Sequence, residues 1–321
     1  MSGTSSSGGA KKGLVVMAYG TPASPDDVAD YYTHIRRGRA PSEEQLADLQ
    51  RRYEAIGGVS PLAERTRDQV AAIAKVLDET EPDTWHVEQG HKHAPPYIED
   101  AVQSLLADDD IEQVVGLVLA PHFSRGSVGE YHQRAAGPIV EASRGIVYTG
   151  IEAWHDLPAW VEAQVGRVRE AREGLPEATK VLFTAHSLPE RVLDRDPYPD
   201  QLRQSAGAIA AELGLDPWSA WSIAWQSAGR TPEPWRGPDI LEVIRDLAAT
   251  GRAEGVLVCP QGFVSDHLEV LYDLDVEAAK VADEVGLQFA RTKSINDDAT
   301  VMAALAERIL KAGAARSWAR P

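Results

Sequence analysis

An α/β fold in two lobes, each a parallel sheet flanked by helices with a cleft between them, is the architecture this sequence predicts. Three observations carry it. Short β-rich apolar runs alternate with long helical patterns, which implies βαβ units and parallel sheets covered on both faces. The strand candidates fall into two groups on either side of residue 150, each large enough for a sheet of its own. Strand after strand also ends in a polar or turn-forming cluster, as expected where ligands meet the carboxyl ends of parallel strands.

Residues 1–12 are rich in Ser and Gly, end in Lys11-Lys12 and lack the apolar core of a signal peptide, so they read as a flexible tail. The first lobe is expected over 13–150, with strands at 13–19, 114–120 and 146–151 and helices at 42–56, 62–79 and 96–108. The second is expected over 151–296, with strands at 181–185, 222–225 and 255–259. Its helices fall at 158–173, 199–213, 239–250 and 267–285. A last helix at 297–312, in a terminal segment 297–321, is placed to pack back on the first lobe. The right-handed crossover rule puts the loops after the strands along one edge of each sheet. No G-x-G-x-x-G follows a strand and no G-x-x-x-x-G-K-[ST] occurs, which weighs against dinucleotide and P-loop sites.

With 32 Lys and Arg against 49 Asp and Glu, the 321-residue chain carries a net charge of −17. Non-specific nucleic-acid binding needs a basic surface and is excluded as a main activity. Cys259 is the single cysteine, so no internal disulfide, zinc knuckle or cysteine-held iron–sulfur cluster can form within the chain. No apolar stretch approaches the ~20 residues that span a bilayer. A cytoplasmic, monomeric protein is expected.

The candidate chemistry lies at strand ends. Lys180–Phe183 leads through Thr184-Ala185 into His186-Ser187-Leu188-Pro189, which places a histidine where it can accept a proton or hold a metal. Tyr19-Gly20-Thr21-Pro22, Pro121-His122-Phe123-Ser124, Gln226-Ser227-Ala228-Gly229-Arg230 and Gln261-Gly262-Phe263 close other strands. Each alone is ordinary turn chemistry, and their recurrence along one edge is what points to a site. After Gly262, Asp266, Glu269, Asp273 and Glu277 recur at steps of three or four, which on an α-helix aligns four carboxylates opposite an apolar stripe. Such a face is also what a plain surface helix presents. A row of carboxylates leading to a histidine suits a divalent cation of borderline preference, such as iron. An arginine island, His34-Ile35-Arg36-Arg37-Gly38-Arg39 with Arg51 and Arg52 beyond, suits an anionic ligand or the chain's own surplus carboxylates. Trp218, Trp221, Trp225 and Trp235 crowd one stretch, mostly as core, with one or two free to line a pocket for a flat ligand.

Together these residues resemble the ferrochelatase family, most closely its coproporphyrin III branch in Gram-positive bacteria. The resemblance rests on Val16–Pro22, on Tyr32-Thr33-His34-Ile35-Arg36-Arg37-Gly38 and on Tyr53-Glu54-Ala55-Ile56-Gly57-Gly58-Val59-Ser60-Pro61-Leu62. It continues through Thr184–Pro189, Trp225–Trp235 and Pro260–Asp273, in the family's order from residue 13 to about 310. It implies two Rossmann-like lobes in a chelatase-like fold that insert ferrous iron into a porphyrin held between them. It also implies His186 facing the pyrrole nitrogens, Glu269 assisting it, and Asp273 and Glu277 as an acidic line for metal or protons. Tyr19 is implied on the other ring face, able to ligate the product iron. The implied metal contacts are thus His186, Glu269, Tyr19, Asp273 and Glu277. Tyr19, Arg36, Arg37, Arg51 and Ser124 are the expected substrate contacts, the arginines for propionates. Many actinobacterial members hold an iron–sulfur cluster through several cysteines. Here Lys311–Pro321 has none, so no cofactor beyond the substrate Fe²⁺ is expected. An oxidase supplying the porphyrin and a decarboxylase taking the product are implied as transient partners. Two alternatives stand beside this: a chelatase for another tetrapyrrole or metal, and a non-catalytic tetrapyrrole carrier.

Overall fold

The computed structural model describes residues 11–229 and 231–314; Arg230, residues 1–10 of the expected tail and the terminal 315–321 lie outside them. Two four-stranded parallel sheets form the frame. The first contains β1 (Lys11–Ala18), β2 (Trp85–His91), β3 (Ile111–Val118) and β4 (Val147–Ile151), in the order β2-β1-β3-β4. The second contains β5 (Thr179–His186), β6 (Trp221–Gln226), β7 (Gly255–Cys259) and β8 (Gln288–Arg291), in the order β6-β5-β7-β8. The two orders are the same, and every pairing is parallel, with Met17 beside Gly90 and Val118 and His186 beside Gln226. In each sheet the chain moves first to one side of its opening strand and then returns to the other. That reversal opens a crevice at the carboxyl ends of β1 and β3, and again at β5 and β7.

The helices are α1 (Val28–Ile35), α2 (Glu43–Ala55), α3 (Leu62–Thr80), α4 (Ile98–Leu106), α5 (Val128–Ala142) and α6 (Pro158–Arg172). They continue with α7 (Tyr198–Glu212), α8 (Ile240–Ala249), α9 (Leu268–Val270), a π-helical segment (Leu271–Ala278), α10 (Ala279–Glu284) and α11 (Ala299–Ala314). α6 follows the first sheet yet packs on β7 and β8, whereas α11 follows the second sheet and packs on α3, β3 and β4. This exchange joins the two halves through one apolar core that includes Leu14, Leu117, Trp160, Phe183, Leu257 and Leu305. Each such side chain, fully buried, contributes about 1.5–3 kcal/mol.

Three local expectations change. Lys11 and Lys12 open β1 rather than closing a tail, because they pair with the backbone beside Ile111 and Trp85. β2 and β8 escape the apolar-run pattern because the first mixes polar with apolar residues, reading WHVEQGH and only partly buried, and the second is four residues long. α5 escapes it because Gly129, Gly137 and Pro138 interrupt its helical composition. Among the described residues no helix is long and apolar enough to cross a membrane.

Candidate active site

His186 is the last residue of β5, held between β6 and β7, so its side chain emerges where the sheet stops. Ser187 locks the exit: its amide donates to the Gln226 carbonyl at 2.8 Å and its hydroxyl to the Arg236 carbonyl at 2.7 Å. The loop after β7 lies against this exit through Gly262, whose amide reaches the Thr184 carbonyl at 3.0 Å. Only glycine fits there, since an added Cβ would stand 2.5 Å from that of Ala185. His186 Nδ1 donates to the Ser187 carbonyl, which turns Nε2 toward Glu269 Oε1 at 3.5 Å. The second oxygen of Glu269 stands 3.7 Å from His267 Nε2. One carboxylate therefore bridges two imidazoles.

Glu269 lies in α9, and the next carboxylate lies in the π-helical segment, where the Ala279 amide reaches back five residues to Leu274. π-helical turns are rare and occur often at functional sites. Asp273 is buried; Ser227 donates to its Oδ2, and Arg52 Nη1 stands 3.6 Å from its Oδ1. Ser227 holds φ at +60°, a left-handed backbone that aims its hydroxyl from the end of β6.

The charges in this row are strongly coupled. Burial would lower the pKa of His186, but the charge and hydrogen bond of Glu269, then the Ser187 carbonyl and Asp273, raise it to about 9. Burial would raise that of Glu269, but His186 first, then His267 and Arg52, bring it down to about 2. At neutral pH the pair is an imidazolium and a carboxylate. Asp273 moves the other way: burial and the charge of Glu269, with a contribution from half-buried Glu277, push it up to about 7. Among the described residues no three His, Cys, Asp or Glu side chains converge into a preformed cation cage.

The opposite wall belongs to the first sheet. Tyr19 follows β1, and Gly20 turns the chain at φ +86°, where a Cβ would meet Ala94 at 2.9 Å. Tyr19 is 42% exposed along the cleft yet surrounded by protein; burial and then the charge of Glu269 push its phenol above the ordinary range. A cavity of about 610 Å³ lies beside it, lined among others by His34, Arg37, Lys92, His93 and Arg134. Lys92 pairs with Glu130 at 2.9 Å, and Arg134 clamps Glu99 through two bonds of 2.6 Å. His34 and His93 share a hydrogen bond between their Nδ1 atoms at 3.0 Å, and the His93 ring lies 4.6 Å from that of Tyr19.

The ferrochelatase family profile matches residues 11–312. The coproporphyrin III ferrochelatase of Anoxybacillus flavithermus (strain DSM 21510 / WK1) is 45% identical over 306 residues, 93% of this chain and 95% of that protein. The coproporphyrin III ferrochelatase of Bacillus subtilis (strain 168) is 44% identical over 307 residues, 94% of this chain and 97% of that protein. The chain belongs to the ferrochelatase family. The fold also matches SirB from Bacillus subtilis with Fe³⁺, at a TM-score of 0.56 and 12% identity over 95% of this chain and 96% of that one. Sirohydrochlorin chelatase SirB from Bacillus subtilis subspecies spizizenii in complex with cobalt gives 0.53 at 12% identity over 94% and 95%. At such identity these two speak for the architecture alone.

In this ferrochelatase His186, Glu269 and Asp273 form one row, with Glu277 one step farther along it, and the charge of Glu269 reaches Tyr19 on the first sheet's side. Arg36 and Arg37 end α1, the first over the Tyr32 ring at 5.7 Å and the second at the cavity in a left-handed conformation. Three expectations do not hold. Asp266 precedes the helix and is taken by Ser294, Asn296 and Arg291 at 2.8, 3.0 and 3.3 Å, so the ladder has three rungs, not four. Arg51 faces solvent and pairs with Asp48 at 2.5 Å, while Arg52, about 100° farther round α2, reaches Asp273. Ser124 is fully buried and donates to Asp196 at 3.2 Å. The sequence offers Arg52 only within the arginine island and Ser227 only in a strand-end cluster, and His267 has no role of its own there, although all three lie in or beside the quoted motifs. Trp225 is core and Trp221 packs on Phe183, but Trp218 is 91% exposed.

Proposed function

We propose that the enzyme inserts ferrous iron into coproporphyrin III, releasing the two inner protons and giving iron coproporphyrin for later decarboxylation to haem. The observation that carries this reading is the His186–Glu269–Asp273 row facing Tyr19 across a cleft, in a chain 44–45% identical to coproporphyrin III ferrochelatases over nearly its whole length. The flat macrocycle lies between the walls, with His186 toward the pyrrole nitrogens and Tyr19 on the other face. Its four propionates meet Arg36 and Arg37 at the end of α1, with Arg52 nearby. Binding at the ring edge then holds the nitrogens in place and supports a bent ring.

At rest His186 keeps its proton because Glu269 is ionised beside it. A ferrous ion arriving at this corner opposes that positive charge, and the proton leaves along Glu269 toward Asp273, whose pKa of about 7 suits transfer in either direction. Neutral His186 can then accept the first pyrrole proton, pass it along the same row to solvent, and accept the second. The protein supplies few ligands of its own because the four ring nitrogens are the ion's destination. A porphyrin with four carboxylates is water-soluble, so the reaction fits a monomer in the cytoplasm meeting an oxidase and a decarboxylase only in passing.

The test is anaerobic metallation followed by tetrapyrrole absorbance, with Fe²⁺ and coproporphyrin III against protoporphyrin IX and against cobalt with sirohydrochlorin. Wild type is expected to prefer coproporphyrin III, and His186→Ala to bind it while metallation nearly stops. Preference for protoporphyrin overturns the substrate, preference for cobalt and sirohydrochlorin the reaction, and full activity in His186→Ala the site.

A further inference from the structure

A buried chain of hydrogen bonds runs from the first lobe to the backbone of His186. It begins in the loop after β3, where the Arg125 amide donates to Asp196 Oδ2 at 2.8 Å and the Ser124 hydroxyl donates to the same oxygen at 3.2 Å. The other oxygen of Asp196 accepts the Tyr198 amide at 3.0 Å, at the first turn of α7. Tyr198 then donates its hydroxyl to the main-chain carbonyl of His186 at 3.2 Å. Ser124, Asp196 and Tyr198 are all buried. Two bonds run parallel to this line: the Phe123 amide to Gln201 Oε1 at 2.7 Å, and His122 Nε2 with Ser205 Oγ at 2.8 Å.

The segment before Asp196 is held deliberately. Arg195 has φ +54°, a left-handed backbone unfavourable outside glycine, and the Arg125 guanidinium holds its carbonyl at 2.6 Å. Burial and then the charges of Glu269 and Asp196 push the Tyr198 phenol above the ordinary range, so it stays a donor. The loop also belongs to the opposite wall: Gly126, next to Arg125, lines the cavity with Tyr19, and β3 is the neighbour of β1.

We infer that Asp196 and Tyr198 are positioning residues, a strut that ties the Tyr19 wall to the His186 backbone and so sets the gap in which the porphyrin is held and bent. Both ends of the strut bond to main chain, so it transmits position rather than charge. The inference rests on the reading of the cleft as a porphyrin site. It also gives Ser124 a part at the far end of the strut in place of a substrate contact.

Tyr198→Phe removes one hydroxyl and leaves the ring against Trp225, 5.9 Å away between centroids. In ligand-free enzyme, hydrogen–deuterium exchange over 184–190 should speed up several-fold. With coproporphyrin III bound, the out-of-plane ring bands of its resonance Raman spectrum should weaken. Iron insertion should slow about tenfold in kcat, as displacement from reacting geometry does, while KM for the porphyrin stays within about twofold. Asp196→Asn should move all three readouts in the same direction. A strut of purely structural value would lower the melting temperature and leave kcat and the Raman bands alone, and that result overturns the inference. Unchanged exchange over 184–190 in both variants overturns it too, whatever the enzyme metallates. Loosened exchange in an enzyme that does not metallate coproporphyrin overturns the proposed function and leaves the strut standing.

Discussion

The two walls of the cleft are built alike, each from loops beyond the carboxyl ends of a parallel sheet, yet His93 on the first and His186 on the second are driven in opposite directions. On the first wall, burial and then the neighbouring Lys92, His34 and Arg134 hold His93 down to about 3, so it stays neutral. On the second, Glu269 overcomes burial and holds His186 up to about 9. The first wall also neutralises its own charges in advance, Lys92 on Glu130 and Arg134 on Glu99. The second keeps three carboxylates and two imidazoles within reach of one another and leaves Asp273 poised near neutrality. A wall of settled charge suits holding a ring, and a wall of coupled, shiftable protons suits taking protons from it.

The sharpest way to break that division is Glu269→Gln. Loss of the carboxylate between the two imidazoles should cut kcat by about 10³, within the range for a proton-transfer group, while porphyrin affinity stays within about threefold. Absorbance-monitored metallation and fluorescence titration measure the two separately. A variant that loses affinity and keeps kcat would assign Glu269 to the holding wall.

Asp273→Asn tests the shiftable proton. Asp273 has a raised pKa of about 7, so it is protonated below that value and accepts a proton only above it. Wild-type kcat should therefore rise with pH through about 7. In Asp273→Asn that limb should vanish and kcat at pH above the limb should fall about tenfold, toward the low end for a lost acid–base group. Persistence of the limb in the variant moves the titrating group elsewhere in the row.

Arg36→Ala and Arg37→Ala probe the holding function. Each should weaken coproporphyrin binding about tenfold, as loss of one charge-assisted contact worth about 1.5 kcal/mol does, with kcat unchanged. The defect should shrink at high salt, where wild-type affinity itself drops. A kcat defect without an affinity defect would place these arginines in the proton chemistry.

What the sequence shows and hides follows from how far each feature depends on distant parts of the chain. Central strands are legible because burial on both faces demands an unbroken apolar run, as in Val181–Ala185. β2 and β8 are not, since polar residues dilute the first run and the second is only four residues long, whereas β4 and β6, also at sheet edges, keep a run the pattern finds. His186 and Tyr19 are legible because a strand end announces itself by an abrupt change from apolar to polar. Arg51 and Arg52 are adjacent in the sequence, and only the phase of α2, set by packing, decides which one turns inward. Asp266 has the spacing of a fourth rung, but the helix begins after it, and its partners Arg291, Ser294 and Asn296 lie in a later segment. The π-helical winding has no local signature, and Ser124 looks like a loop serine until α7 brings Asp196 to it.

The smallest effect separates the cleft from the seam behind it, again through two histidines. His122 is buried between the lobes, bonded to Ser205 and stacked on His155 at 5.4 Å, and burial and then His155 hold its pKa well below the ordinary value. Unfolding restores a pKa of about 6.5, so below that pH the unfolded chain takes up a proton that the folded one refuses. Stability therefore falls as pH drops, with a slope approaching about 1.4 kcal/mol per pH unit for this one group. His91, His93, His132 and His267 are depressed as well and add to the same acid slope. His186 has the opposite sign: its contribution is complete below the unfolded value and is lost as pH rises through about 9. Urea midpoints between pH 5 and 10 should show His122→Gln, which can keep the Ser205 bond, flattening the acid side by one proton's share. His186→Ala should flatten only the alkaline side. If His122→Gln leaves the acid slope intact, the imidazole takes up its proton without unfolding, and the seam between the lobes must then open to water.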